Sequence, residues 1–390
     1  MKIFVACITL GLSCFASPLE QKSNLTASYI DYTNFDNELL YFGDTTLNYK
    51  NDMFTLNSKL DFFYSNQYSE KKEFNVEELY LTKEYENRKF EVGKVIKYWG
   101  ELEGYNIADI FNQKNYLFDP FDKNSKLGTY TVNLTQYKQN NSFEVGFKFY
   151  PSDIKYPATT SPYSVSIYNY DKDLQSDSSK YNPTTYLKYN FVTNDLIQSD
   201  NKIIFLSGYD NKRYFSPINQ TTVSQYLYKV NKILALSNIV YNDTIFKFEG
   251  AITTIKEDKN MSDYTQFSIG AEHGFYDIGG VDLTLYGEYY KYLYKDESKI
   301  KNVDISELYN DDIFLACKIN FNDIEDSQIK SGVLFDKTNS EKIFKTEFTS
   351  RVKDGLIFKG EILRTFPKDN TLLTNIGVHT RTILALTYTF

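Results

Sequence analysis

The sequence predicts an all-β chain closed into a transmembrane antiparallel β-barrel of about 18 strands, within a range of 16 to 20. Three observations predict it. Apolar and polar side chains alternate with a period of two nearly from end to end. The alternating runs are ~9–12 residues long, the length of a tilted membrane strand, where soluble strands average about five or six. The aromatic content is high and led by tyrosine, with 35 Tyr and 30 Phe in 390 residues against 3 Met, 1 Trp and 8 Pro. A ring with a polar tip is at home at a membrane–water boundary, so this excess suits two interfacial girdles.

The N-terminus sets the compartment. Met1-Lys2 is a short basic start, Ile3 to Leu12 is apolar, and Ser13-Cys14-Phe15-Ala16 ends on a small residue. This is the pattern of a secretory signal peptide over residues 1–16, which leaves 17–390 as a single barrel domain. Cys7 and Cys14 leave with the signal, so Cys317 has no partner for an intramolecular disulfide. No later segment approaches the ~18 consecutive apolar residues of a membrane helix. Mean hydropathy is polar, at −0.46, as expected where lipid-facing and water-facing residues alternate.

The runs follow in order. Phe54, Leu56, Leu60, Phe62 and Tyr64 oppose Thr55, Asn57, Lys59 and Asp61. Phe90, Val92, Ile96 and Tyr98 repeat the pattern, as do Phe143, Val145, Phe147 and Phe149. Later runs carry Ile313, Leu315, Cys317, Ile319 and Phe321, and then Leu356, Phe358 and Ile362 opposite Lys359 and Glu361. A β-sandwich would alternate in the same way. About twenty such runs without a comparable helical stretch favour the barrel. Short turns at 50–52, 86–87, 242–243 and 353–355 interleave with longer polar loops at 65–73, 151–162, 256–262, 295–310 and 367–377. Short periplasmic turns and longer outside loops are the barrel habit. Between about 163 and 241 this rhythm breaks down. The last twelve residues place Leu384, Leu386, Tyr388 and Phe390 on one face and end on Phe, the form of the terminal signal read by the barrel-assembly machinery.

One segment, 100–126, is not strand-like. Asn106 can cap a short helix, with Asp109 in its first turn and Ile107, Ile110 and Phe111 at helical spacing, and Asp119-Pro120 ends it. We expect this inserted loop to fold into the barrel mouth, placing Asp109, Asn112, Asn115, Asp119 and Asp122 near the path of solutes. The alternative is a helix packed on the rim. Lys97, on the polar face of the preceding run, joins the constriction candidates. Lys94 falls among Phe90, Val92, Ile96 and Tyr98 on the apolar face, where a lysine at mid-membrane depth would cost roughly 2–4 kcal/mol. It must snorkel, or the strand must bulge.

Val92-Gly93-Lys94-Val95-Ile96-Lys97-Tyr98-Trp99-Gly100-Glu101, followed by Ala108-Asp109-Ile110-Phe111-Asn112-Gln113-Lys114-Asn115-Tyr116, resembles the Gly-Lys…Trp-Gly…Asp-x-x-Asn-x-x-Asn signature of DUF1302-like, porin-like outer-membrane barrels. The resemblance covers some 35 residues. It implies a porin-like protein, or one that works with inner-membrane exporters on hydrophobic or lipid cargo. It assigns no catalytic residue.

Composition narrows the function further. A formal charge of −8 argues against nucleic acid as a partner and leans any pore toward cations. Enzyme signals are thin. The chain has two histidines, His273 and His379, and Glu272 beside His273 points to the opposite face of a strand. No Cys/His metal set and no Gly-rich phosphate loop is present, so no cofactor and no metal are expected. Asp304, Glu307, Asp311 and Asp312 could hold calcium, though a solvated charge run is the simpler reading. The leading expectation is a Gram-negative outer-membrane channel for small polar solutes, surrounded by outer-membrane lipid, with a homo-oligomer as a candidate assembly. A lipid-traffic component and a surface adhesion protein are the alternatives.

Overall fold

The computed structural model describes residues 19–164, 168–171, 173–179, 181–194, 197–301, 305–369 and 371–390. The expected signal peptide and Asp304 lie outside these residues. The described residues form one closed antiparallel sheet of 18 strands. In chain order these are β1 Leu19–Tyr32, β2 Glu38–Lys50, β3 Thr55–Ser65, β4 Lys72–Tyr85, β5 Arg88–Val95 and β6 Thr129–Lys138. They continue as β7 Asn141–Phe149, β8 Thr184–Thr193, β9 Gln198–Tyr209, β10 Lys229–Tyr241, β11 Thr244–Lys256 and β12 Tyr264–Ile278. The last six are β13 Val281–Tyr294, β14 Asp311–Asn320, β15 Gln328–Asp336, β16 Lys342–Lys353, β17 Leu356–Phe366 and β18 Thr380–Thr389. Each strand pairs with its sequence neighbour, and β1 closes the ring on β18 from Asn24↔Thr389 to Tyr32↔Arg381. Closure removes the free edges that hydrocarbon would leave unsatisfied.

The pleat sorts the residues as the alternation predicts. On β10, Ile233 points outward at 52 % exposure while its neighbour Leu234 is fully buried inside. Outward positions are aliphatic or aromatic on most strands: Leu79 and Leu81, Phe143 and Phe147, Ile252, Ile269, Leu315, Leu384 and Leu386. Such a surface would be an aggregation hazard in water and is the natural contact for lipid. Exposed tyrosines stand next to the turns at one end: Tyr85, Tyr137, Tyr241, Tyr276 and Tyr388. A second aromatic set, including Tyr29, Tyr41, Phe74 and Tyr130, marks the loop end. From Phe74 to Tyr85 the chain advances roughly 36 Å, or about 28 Å along the axis at a tilt of ~40°, close to the ~25 Å apolar band of such barrels.

Turns and loops alternate around the whole ring. The region that broke the sequence rhythm does so for two reasons. Short strands at Asn169–Tyr170, Tyr214–Pro217 and Thr222–Tyr226 form a separate sheet within the loops, imitating wall strands. In addition, β9 to β11 bury apolar residues on their inner face, namely Ile204, Leu206, Leu234, Leu236 and Ala251. These strands therefore read as continuous apolar runs. Lys94 snorkels: its Nζ caps the backbone oxygen of Val76, beside the register shift between β3 and β4.

Candidate functional site

The segment between β5 and β6 turns into the barrel. The helix expected from Asn106 does not form; the chain there is a succession of turns stitched by two-residue strands at Gln113–Lys114 and Lys126–Leu127. The capping atoms are engaged elsewhere. Asn106 Oδ1 accepts from the Leu102 N–H at 2.7 Å, and Asp109 accepts from the Trp99 N–H at 3.3 Å. The wall supplies what a helix would have supplied. Glu249 on β11 accepts from the N–H groups of Glu101 and Ala108, the latter at 2.9 Å. Glu288 on β13 accepts from those of Glu103 and Gly104 at 2.6 and 2.9 Å. Carboxylate acceptors of this kind are about twice as strong as neutral ones. Two glutamates thus staple four backbone donors.

One flank of the loop is greasy. Trp99, Ile107, Ala108, Ile110 and Phe111 pack on Tyr186, Ile204, Leu206, Leu234, Leu236 and Ala251 of β8 to β11. Trp99 sits edge-on to Phe111 and Tyr186, with ring centroids 5.1 and 5.2 Å apart. This half of the lumen is filled. On the other flank, between the loop and β14 to β18, lies a cavity of about 480 Å³. Near the loop end it is bounded by Phe121, Tyr309, Phe314, Leu334, Ile343 and Leu363. Deeper, Glu103 and Lys123 of the loop face Lys330, Lys345, Glu347, Lys359 and Glu361 of the wall. The charges are interleaved: Lys359 pairs with Glu347 at 2.6 Å and with Glu361 at 3.1 Å, and Lys345 with Glu361 at 3.3 Å. Lys330 reaches across the cavity to Glu103.

The six constriction candidates divide into three groups. Asp119 and Asp122 line the cavity. Lys97 lines a smaller space of about 220 Å³ against β5 to β8, where it meets Glu144 at 2.7 Å and Glu91 at 3.0 Å. Asp109, Asn112 and Asn115 are buried beneath the loop. Asn112 is a clip, accepting from the Lys97 N–H and donating to the Val95 and Leu127 carbonyls. Asp109 pairs with Lys126, whose ammonium burial pulls down to about 8 against the opposing pull of Asp109. Burial pushes the Asp122 carboxyl up, reinforced by Asp119. Burial also favours a neutral Glu103, but Lys123 and Lys330 hold it below the usual range.

Sequence reading missed Glu249, Glu288 and Arg381. Arg381 on β18 is fully buried and joins Asp119 of the loop at 2.9 Å to Glu361 of β17 and to Tyr163 of the 150–183 loop. An inward Glu or Arg looks like any polar half of an alternating strand. The signal for Glu249 and Glu288 was only their place on walls otherwise facing apolar loop residues. Each histidine meets a threonine hydroxyl, His379 that of Thr365 at 3.5 Å. His273 Nδ1 meets the Thr244 hydroxyl at 2.7 Å, while Glu272 pairs with Lys247 instead. Among the described residues no group of three or more His, Cys, Asp or Glu side chains is arranged to hold a metal. Asp311 is engaged by Lys291 and Lys337, and Glu307 by the Tyr294 hydroxyl.

The ring is closed, with one flank of its lumen packed by the loop and a cavity along the other. No protein-family model and no curated protein matches the chain in sequence. Solved structures do match its shape. Pseudomonas aeruginosa OccK11 (OpdR) superposes with a TM-score of 0.57 over 95 % of this chain and 96 % of its own, at 9 % identity. Acinetobacter baumannii OccAB3 gives 0.56 over 96 % and 100 %, at 10 % identity. Pseudomonas aeruginosa OpdK with vanillate gives 0.55 over 96 % and 99 %, at 9 % identity. At these identities the likeness establishes the fold. It is the 18-stranded barrel fold, shared with outer-membrane proteins such as Pseudomonas aeruginosa OpdK.

Proposed function

We propose that the chain is an outer-membrane channel through which small solutes diffuse past the inserted loop. The observation that carries this reading is the cavity of about 480 Å³ between residues 103–124 and the inner wall of β14 to β18, inside a ring with no free edge. Barrels of 16 to 18 strands leave an aqueous lumen, whereas eight are filled by side chains. The apolar belt sits in lipid with the loop end outside, and residues 1–16 direct export. Leu384, Leu386 and Tyr388 of β18 and the terminal Phe390, all about half exposed, present the assembly signal. The DUF1302-like resemblance over 92–116 falls on the strand end and loop that build the constriction. The cavity's two linings suit solutes that combine an apolar face with charge, and the vanillate held by one structural neighbour is of that kind. Asp119, Asp122 and the lysines facing them set charge preference, with Lys97 lining the second space.

Liposome swelling tests this reading. Vesicles holding the folded barrel should swell in neutral sugars at rates that fall steeply with sugar size. No swelling with the smallest sugar would overturn the proposal.

A further inference from the structure

The lipid-facing wall carries a feature that solute passage does not need. Near the loop end of β13 to β17 the outward positions form one cross-strand row: Tyr289 opposite Ile313, Ile313 opposite Phe335, Phe335 opposite Lys342, and Lys342 opposite Phe366. Arg364 lies diagonally across from Lys342, a spacing of ~7–8 Å. Both cations are exposed, and no ion pair joins either to a carboxylate among the described residues. Each instead lies over a ring, Lys342 5.7 Å from the Phe335 centroid and Arg364 4.9 Å from that of Phe366. Two further cations flank the row. Lys291 and Lys337 share one carboxylate, Asp311, at 2.7 and 3.2 Å.

Neighbouring like charges on one sheet face repel unless an anion lies between them. These side chains point away from the lumen, so solutes in the pore do not supply that anion. The interleaved aromatics place the row at the membrane boundary, where the available anions are lipid headgroups. Guanidinium takes phosphate through paired hydrogen bonds, and an ammonium adds a point charge beside it. We propose that Lys342 and Arg364, with Lys291 and Lys337 at the margin, bind the phosphate of a phosphorylated lipid in the outer leaflet. The proposal rests on the reading above that the loop end faces outward.

The test is a titration of the purified full-length barrel in neutral detergent, followed by native mass spectrometry. The probes are a diphosphorylated diglucosamine lipid, the same lipid without phosphates, and inorganic phosphate. The phosphorylated lipid should bind at least about 10-fold more tightly than either of the other two. Lys342→Gln/Arg364→Gln should weaken it by about 10-fold. The charge-keeping Lys342→Arg/Arg364→Lys pair should retain binding, as should Lys83→Gln/Arg88→Gln at the turn end. Wild-type affinity in the Lys342→Gln/Arg364→Gln variant, or equal binding of the phosphate-free lipid or of inorganic phosphate, would overturn the proposal. Single-channel conductance of the same variant should stay at the wild-type value, so a failed pore and a failed lipid site give different results.

Discussion

The two flanks of the lumen are built from the same kind of strand and end in opposite states. Against β8 to β11 the inner wall is apolar and the inserted loop lies flat on it, with Trp99 and Phe111 buried in the seam. Against β14 to β18 the inner wall is apolar near the loop end and charged deeper, and the loop stands off, leaving a cavity. The loop has no helix of its own to fix its position. It is glued on one flank by apolar packing and held at the other edge by point contacts, through Glu288 at residues 103–104 and Arg381 at Asp119. In the channel reading proposed above, the difference makes the free lumen depend on which part of the wall the loop adheres to.

The largest predicted effect comes from breaking the packed flank. Trp99→Ala with Phe111→Ala removes two large buried side chains, each such truncation costing about 3–5 kcal/mol. The loop should detach, and single-channel conductance should rise several-fold with loss of the size limit in swelling assays. Conductance within about 20 % of wild type would contradict this role for the seam. Next comes the pinned edge. Arg381→Met leaves Asp119 and Glu361 without their shared cation, a loss in the range of 3–5 kcal/mol for a buried pair. Open-channel noise should increase and thermal unfolding, followed by loss of heat-modifiable migration, should occur at lower temperature.

A smaller effect is expected from the open flank's charges. Lys345→Gln with Lys359→Gln removes two cations from the cavity wall without touching the seam. Reversal potentials across a salt gradient should move toward cation preference by about two- to three-fold in permeability ratio, with the size limit unchanged. The smallest effect is on pH. Because burial and Asp119 hold the Asp122 proton above the usual carboxylate range, acidification should protonate Asp122 before ordinary surface carboxylates. Cation preference should therefore begin to fall at a higher pH than in the Asp122→Asn variant, whose profile should lack that first step.

Much of the fold was legible because lipid and water impose a period of two on every strand, and long runs such as 54–64 and 313–321 show it directly. The legibility failed where one wall met protein on its inner side. There Ile203, Ile204, Phe205 and Leu206 run apolar without interruption, since the inward residues face Trp99 and Phe111 rather than water. The inserted loop was visible as an interruption, but its helix was not realised. Local capping by Asn106 lost to tertiary carboxylates on β11 and β13, partners a local window cannot see. Asp119 and Asp122 were identifiable as acids in a loop next to the lumen. Asn112 and Asn115 were chosen by the same logic, yet they hold the loop together from beneath. Arg381 was hidden at the start of the last strand, whose outward residues Leu384, Leu386 and Tyr388 alternate with inward ones that carried no motif.

The most direct test of the central claim is a planar-bilayer recording on purified protein whose folding has been verified by heat-modifiable migration. Discrete, long-lived conductance steps are expected in the wild type, and larger steps once Trp99 and Phe111 are truncated. A folded barrel that inserts into the bilayer and yields no steps, in wild type and truncated variant alike, would contradict that claim.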